Sequence, residues 1–160
     1  MVCMKYILFP VIKIHKKYNF LFFLLFFFID TILSYGFTQI INYFTFDFGA
    51  VESVANVPKW LLFVIMVIFA PLFETIVFQF VALELLLKLK ISPSIAIVVS
   101  TVIFALFHNY NIPYMGYILL TGWILPYYYM ALRDQGKSNK IVFVFMLHLI
   151  GNFISFFDYI

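Results

Sequence analysis

Five apolar runs, broken by short polar or basic stretches, set the pattern of the chain. The first, Phe20 to Ile29, carries no charge and continues past Asp30 to about Phe37. The second has no polar side chain from Trp60 to Phe73 and runs on to Leu87, where Lys88 and Lys90 close it. Runs of this length and apolarity predict membrane-crossing helices of roughly 20 residues. The predicted spans are 19–37, 60–88, 93–110, 114–132 and 141–157. Span two would be about 43 Å long against a hydrocarbon core of about 30 Å, so it must tilt, protrude or bend. Pro71 is the natural bend, and it frees carbonyls one turn earlier, adding polarity near Glu74. In span four, Gly116, Gly122 and Pro126 predict close packing and a kink. Residues 38–58 read as an exposed loop whose aromatics, Tyr43, Phe44, Phe46 and Phe48, suit the membrane interface. Residues 133–140 form a second, shorter loop. No repeat or linker divides the chain, so residues 1–160 are read as one membrane domain, an all-α polytopic helical bundle of about five spans.

Composition agrees with the pattern. A chain of 160 residues that is 66% hydrophobic and 11% charged, with mean hydropathy +1.08, lacks the polar surface of a soluble domain, so its solvent is the bilayer. The net charge of +3 is informative through its placement. Lys5, Lys13, Lys16, Lys17, Lys88, Lys90, Arg133, Lys137 and Lys140 fall on one side of the predicted bundle and only Lys59 on the other. That asymmetry predicts a cytoplasmic N-terminus and gives no reason to expect a nucleic-acid partner. The single cysteine, Cys3, excludes an internal disulfide and a cysteine-based metal cluster. Residues 1–36 also admit a signal-peptide reading, with a basic leader, an apolar run and Ser34-Tyr35-Gly36 at its end, although the long leader and Asp30 speak against it.

The ionisable residues inside the predicted spans are Asp30, Glu74, Glu84, His108 and His148. Each costs a few kcal/mol in lipid and needs a partner or a task. Glu84 precedes Lys88 by one helical turn, in the favourable acid-then-base order, which predicts a local ion pair. Asp30 could cap, pair or line a cavity. A lone histidine is ordinarily a hydrogen-bonded packing residue, but these two have company. His148 and Asn152 share one face of span five, and Phe104 and His108 share one face of span three. With Glu74 from span two, they form a convergent polar cluster of the kind hydrolysis needs. A carboxylate and an imidazole can take protons from water, while a second imidazole and a carboxamide can donate to a developing oxyanion.

The segments Glu74-Thr75-Ile-Val-Phe-Gln79, Phe104-Ala-Leu-Phe-His108 and His148-Leu-Ile-Gly-Asn152 resemble the three motifs of the CAAX protease and bacteriocin-processing (CPBP, or Abi) family of intramembrane endopeptidases. Those motifs are Glu-Glu-x-x-x-Arg, Phe-x-x-x-His and His-x-x-x-Asn, in the same order, and the resemblance covers about residues 60–157. It implies peptide-bond hydrolysis within the membrane, with Glu74 and His108 activating water and His148 and Asn152 binding the oxyanion. It implies a membrane-associated peptide or protein substrate, a bacterial plasma-membrane location and a part in bacteriocin processing or self-immunity. A metal-free glutamate mechanism is favoured over zinc held by Glu74, His108 and His148, because no His-Glu-x-x-His helix is present. The motif-one supports depart from the family pattern: its second Glu and its Arg stand here as Thr75 and Gln79, a paired exchange that suggests a Thr–Gln hydrogen bond. Two alternatives stay open, a non-catalytic immunity or binding protein on the same scaffold and an unrelated small transporter or channel subunit. The oligomeric state is open too, since a short bundle could complete its walls by oligomerising. Depth counted from Trp60 puts Glu74 about 9 Å above the inner boundary, level with His148 at about 10 Å, while His108, counted from Pro93, is about 12 Å too far out unless span three starts below the bilayer or tilts strongly.

Overall fold

The computed structural model describes residues 9–43, 57–135 and 137–157. Besides two 3-10 turns, Lys16–Tyr18 and Arg133–Gln135, the described residues form six helices in order: α1 Asn19–Tyr43, α2 Lys59–Lys88, α3 Pro93–Phe107, α4 Ile112–Thr121, α5 Ile124–Ala131 and α6 Lys137–Phe156. No strand occurs among the described residues. The protein is an all-α membrane helical bundle. Among the described residues, three helical stretches, Lys16–Ile40, Lys59–Lys88 and Asn139–Phe156, are long and apolar enough to cross a bilayer, and α3 is a shorter apolar helix. The predicted span four is two short helices, α4 and α5. The break falls at Gly122 and Trp123, a turn before Pro126, because a proline in the first turn of α5 offers no N–H to Gly122. Gly122 is tightly enclosed, as predicted, whereas Gly116 has nothing within 4 Å of where a Cβ would stand, so no close packing occurs there. α1 runs on through Tyr43, beyond the predicted end at 37, and the remainder of the predicted loop, 44–56, lies outside the described residues.

α2 is continuous over 30 residues but not uniform. Val64–Phe69 and Thr75–Ala82 are wound with i→i+5 hydrogen bonds, and between them Ala70–Glu74 is α-helical. The helix ends in a Schellman motif: the Ile91 N–H donates to Leu86 O and the Lys90 N–H to Leu87 O, with Lys90 in the left-handed region at φ 61°. Pro93 then opens α3 at its first position, and the chain reverses.

This hairpin removes the expected mismatch in depth. Measured from the turn, Glu74 is about 21 Å up α2 and His108 about 22 Å up α3, so the two are level. The expectation counts span two from its outer end and span three from its inner end across a core of about 30 Å, whereas α2, at 30 residues, is longer than that core, so the two counts share no origin until the hairpin supplies one.

The core lies toward the hairpin end, where Leu83, Ile97, Ile124, Tyr128, Tyr129, Val144 and Leu147 are fully enclosed. α1 covers α5 through the stacked rings of Phe26 and Tyr128, with centroids 4.6 Å apart, and reaches α4 through a hydrogen bond from Tyr117 Oη to Ser34 Oγ, 3.1 Å. The segment before α1 docks under α5: the Ile14 N–H donates to Ala131 O at 3.0 Å, Gln135 Nε2 donates to Ile14 O at 2.6 Å, and Lys13 pairs with Asp134 at 2.7 Å. The Lys13 ammonium, hydrogen-bonded to Asp134, holds that carboxyl below the ordinary carboxylate range.

The Glu84–Lys88 pair predicted from local spacing does not form. Lys88 is exposed, while Glu84 accepts from Lys140 Nζ of α6 at 2.5 Å and from Tyr129 Oη of α5 at 2.9 Å, with Arg133 at 3.5 Å. The physical reason is Lys140, whose side chain is 4% exposed and would be an unpaired charge without Glu84, whereas Lys88 can reach water unaided.

Candidate active site

Glu74 ends the α-helical interlude Ala70–Glu74 of α2, which has Pro71 in its first turn, and its carboxylate lies between His108 at the end of α3 and His148 of α6. Its Oε1 lies 3.6 Å from His108 Nε2 and its Oε2 lies 3.3 Å from His148 Nε2. Three ionisable residues from three helices thus converge. The side chains of Glu74 and His108 are 16% and 14% exposed, enough for water or a substrate to reach them, while His148 is buried. Neither separation is a short hydrogen bond, so the carboxylate and the imidazoles are neighbours with room to exchange partners. Glu74 Oε2 and His148 Nδ1 are both buried without a hydrogen-bond partner.

The tautomer of His108 follows from its other nitrogen. Nδ1 lies 2.8 Å from Phe104 O, and a carbonyl only accepts, so Nδ1 carries the proton. In the neutral ring, Nε2 is therefore a lone pair facing Glu74, the form that can take a proton. The same residue, Phe104, sets the ring in place. Its centroid is 4.5 Å from that of His108, edge-on, and 6.0 Å from that of His148, also edge-on, so one phenyl ring spaces both imidazoles. Phe104 is braced in turn by α4, since a Cβ on Gly122 would stand 3.0 Å from its ring and 2.5 Å from Ile118 O. Sequence reasoning selects Gly122 for packing but not for this task.

Asn152, one turn beyond His148, does not point at the carboxylate. Its Nδ2 donates to Met66 O of α2, 2.8 Å away. Met66 is not among the residues the sequence singles out, although the proline that exposes its carbonyl is. Asp30 of α1 faces α6 next to Asn152: a Cβ on Gly151 would be 3.4 Å from its Oδ2.

Thr75 and Gln79 are both 0% exposed, and neither Thr75 Oγ1 nor either atom of the Gln79 amide has a hydrogen-bond partner. The Thr–Gln hydrogen bond suggested by the paired exchange is absent. They lie in the stretch wound i→i+5, where residues four apart no longer stack as they do on an α-helix. Among the described residues, no group of three or more His, Cys, Asp and Glu side chains is disposed to hold a metal ion, Glu74, His108 and His148 included.

Residues 56–154 match the family model described as Rce1-like, type II CAAX prenyl endopeptidase Rce1-like. Neither a curated protein nor a solved structure gives a match.

Proposed function

From the premise that this chain belongs to the Rce1-like family of type II CAAX prenyl endopeptidases, we propose that it is a metal-free glutamate endopeptidase that cuts a membrane-presented peptide at Glu74. The family supports the coarser statement, a protease embedded in the membrane and acting on a peptide that reaches it there. The observation that carries the finer one is Glu74 flanked by the Nε2 atoms of His108 and His148.

In this reading, water sits against Glu74 and the unprotonated Nε2 of His108. The carboxylate takes a proton from the water as its oxygen attacks the scissile carbonyl carbon, and His108 assists from the other side. The carbonyl oxygen becomes an oxyanion, held by donors from His148 and Asn152. When the tetrahedral intermediate collapses, the C–N bond breaks and the proton held at Glu74 passes to the leaving amine. Burial in lipid removes competing water, which strengthens each of these interactions. Phe104, Thr75 and Gln79 support the site without touching the reacting atoms. The substrate class is a prenylated peptide or a bacteriocin-type peptide, in a bacterial plasma membrane with the N-terminus cytoplasmic.

A second reading, a non-catalytic immunity or binding protein on the same scaffold, is favoured by Thr75 and Gln79, which leave Glu74 without charged support on its own helix. One experiment separates the two. Purified protein in nanodiscs is given a fluorogenic prenylated peptide, beside Glu74→Ala and His108→Ala. The expected result is cleavage that falls at least about 100-fold in each variant at unchanged membrane abundance. Full activity in Glu74→Ala would sink the protease mechanism, and immunity retained without cleavage would establish the binding role.

A further inference from the structure

The hydrogen bond from Asn152 to Met66 O has a cause in α2 itself. The Ala70 N–H donates to Ile65 O, the last bond of the first i→i+5 stretch of the helix. One residue on, the same register requires the N–H of residue 71 to reach Met66 O, and residue 71 is proline, which has none. The α-helical alternative, Ala70 to Met66, is unavailable because the Ala70 N–H is already committed to Ile65. Met66 O is thereby left without a helical donor at membrane depth, where no bulk water can satisfy an unmet carbonyl. Asn152 Nδ2 fills that vacancy at 2.8 Å.

From this geometry we infer that Pro71 is a positioning residue for Asn152, acting through the carbonyl it frees on Met66. Met66 O only accepts, so it selects which end of the carboxamide faces it and fixes the amide plane. One N–H of Nδ2 is then held by α2, and the second is directed by the same plane and remains for a ligand. The latch sits one turn of α6 from His148, and Pro71 sits within one turn of Glu74 on α2. A single proline therefore sets where the α-helical interlude bearing Glu74 begins and where the Asn152 amide points.

The activity arm of the test rests on the endopeptidase reading, and a spectroscopic arm does not. Pro71→Ala, or Pro71→Ser as a second carrier of the same change, restores an N–H that competes with Asn152 for Met66 O. Both introduce better helix formers than proline and are checked for abundance and melting. In a double-mutant cycle with Asn152→Ala, the Pro71 variants are expected to lower kcat about tenfold at unchanged KM in the otherwise native protein, and to change nothing further once Asn152 is alanine. An equal loss in both backgrounds, or none in either, would overturn the inference. Independently of turnover, the side-chain amide signals of Asn152 in a ¹⁵N–¹H spectrum, identified by their disappearance in Asn152→Ala, are expected to shift and exchange faster in Pro71→Ala. Unmoved Asn152 signals would overturn the latch even if the chain cleaves peptides. Shifted signals in a protein that cleaves nothing would keep the latch and retire the protease mechanism.

Discussion

Glu74 Oε2 stands 3.3 Å from His148 Nε2, a contact that joins α2 to α6 beside the approach of His108 to the other carboxylate oxygen. On the proposed endopeptidase reading, groups this close act as a unit, so their removal is not additive. Glu74→Gln and His148→Ala are each expected to lower kcat by about 10²–10⁴-fold. The double variant should be little worse than the worse single one. The check is a turnover cycle on nanodisc-embedded protein, and multiplying losses would mean that the two residues serve separate steps.

The same pair of helices is fastened a second time, near the hairpin end, by Lys140 and Glu84 at 2.5 Å. The two contacts occur in the same antiparallel order on α2 and α6, so the ion pair fixes the register that brings Glu74 to His148. Lys140→Met leaves Glu84 with Tyr129 and Arg133 only, and is expected to cost about 3 kcal/mol, the lower end for breaking a buried pair. Adding Glu84→Leu should restore most of that, because the uncompensated charge is gone and an apolar contact replaces it. Unfolding midpoints in detergent decide the matter. A double variant as unstable as Lys140→Met would show that the loss comes from packing rather than from stranded charge.

How much of this is legible in the sequence depends on whether a feature is local. The helical segments follow from apolar runs and prolines, and Glu74, His108 and His148 stand out because ionisable groups in lipid need a reason. The pairing of Glu84 is not legible: a neighbour one turn away on the same helix is readable from spacing, whereas Lys140 approaches only after α6 packs. The depth of His108 is lost for a different reason, since the excess length of α2 is legible but the common origin for counting along α2 and α3 appears only with the hairpin between them. The acceptor for Asn152 is half legible. Pro71 announces a freed carbonyl near Glu74, but choosing Met66 requires the i→i+5 winding, which no residue pattern signals.

Thr75 and Gln79 provide the last test, because their burial is complete and their polar atoms are unpaired. A buried amide with no hydrogen bond carries a desolvation cost of about 1–3 kcal/mol that an apolar side chain of similar size does not. Gln79→Leu is therefore expected to raise the unfolding midpoint in detergent. Gln79→Arg should do the opposite, by about 3–5 kcal/mol, since it places an uncompensated charge at a position with no access to water. Thr75→Glu introduced with Gln79→Arg rebuilds the acid and base of the family's first motif, and should recover part of that loss through their pairing. Thermal melts of the four proteins, the native chain included, settle the order. A lower midpoint for Gln79→Leu would mean that the amide is satisfied by ordered water between the helices, and the paired exchange would then be a polar network rather than a neutral filling of space.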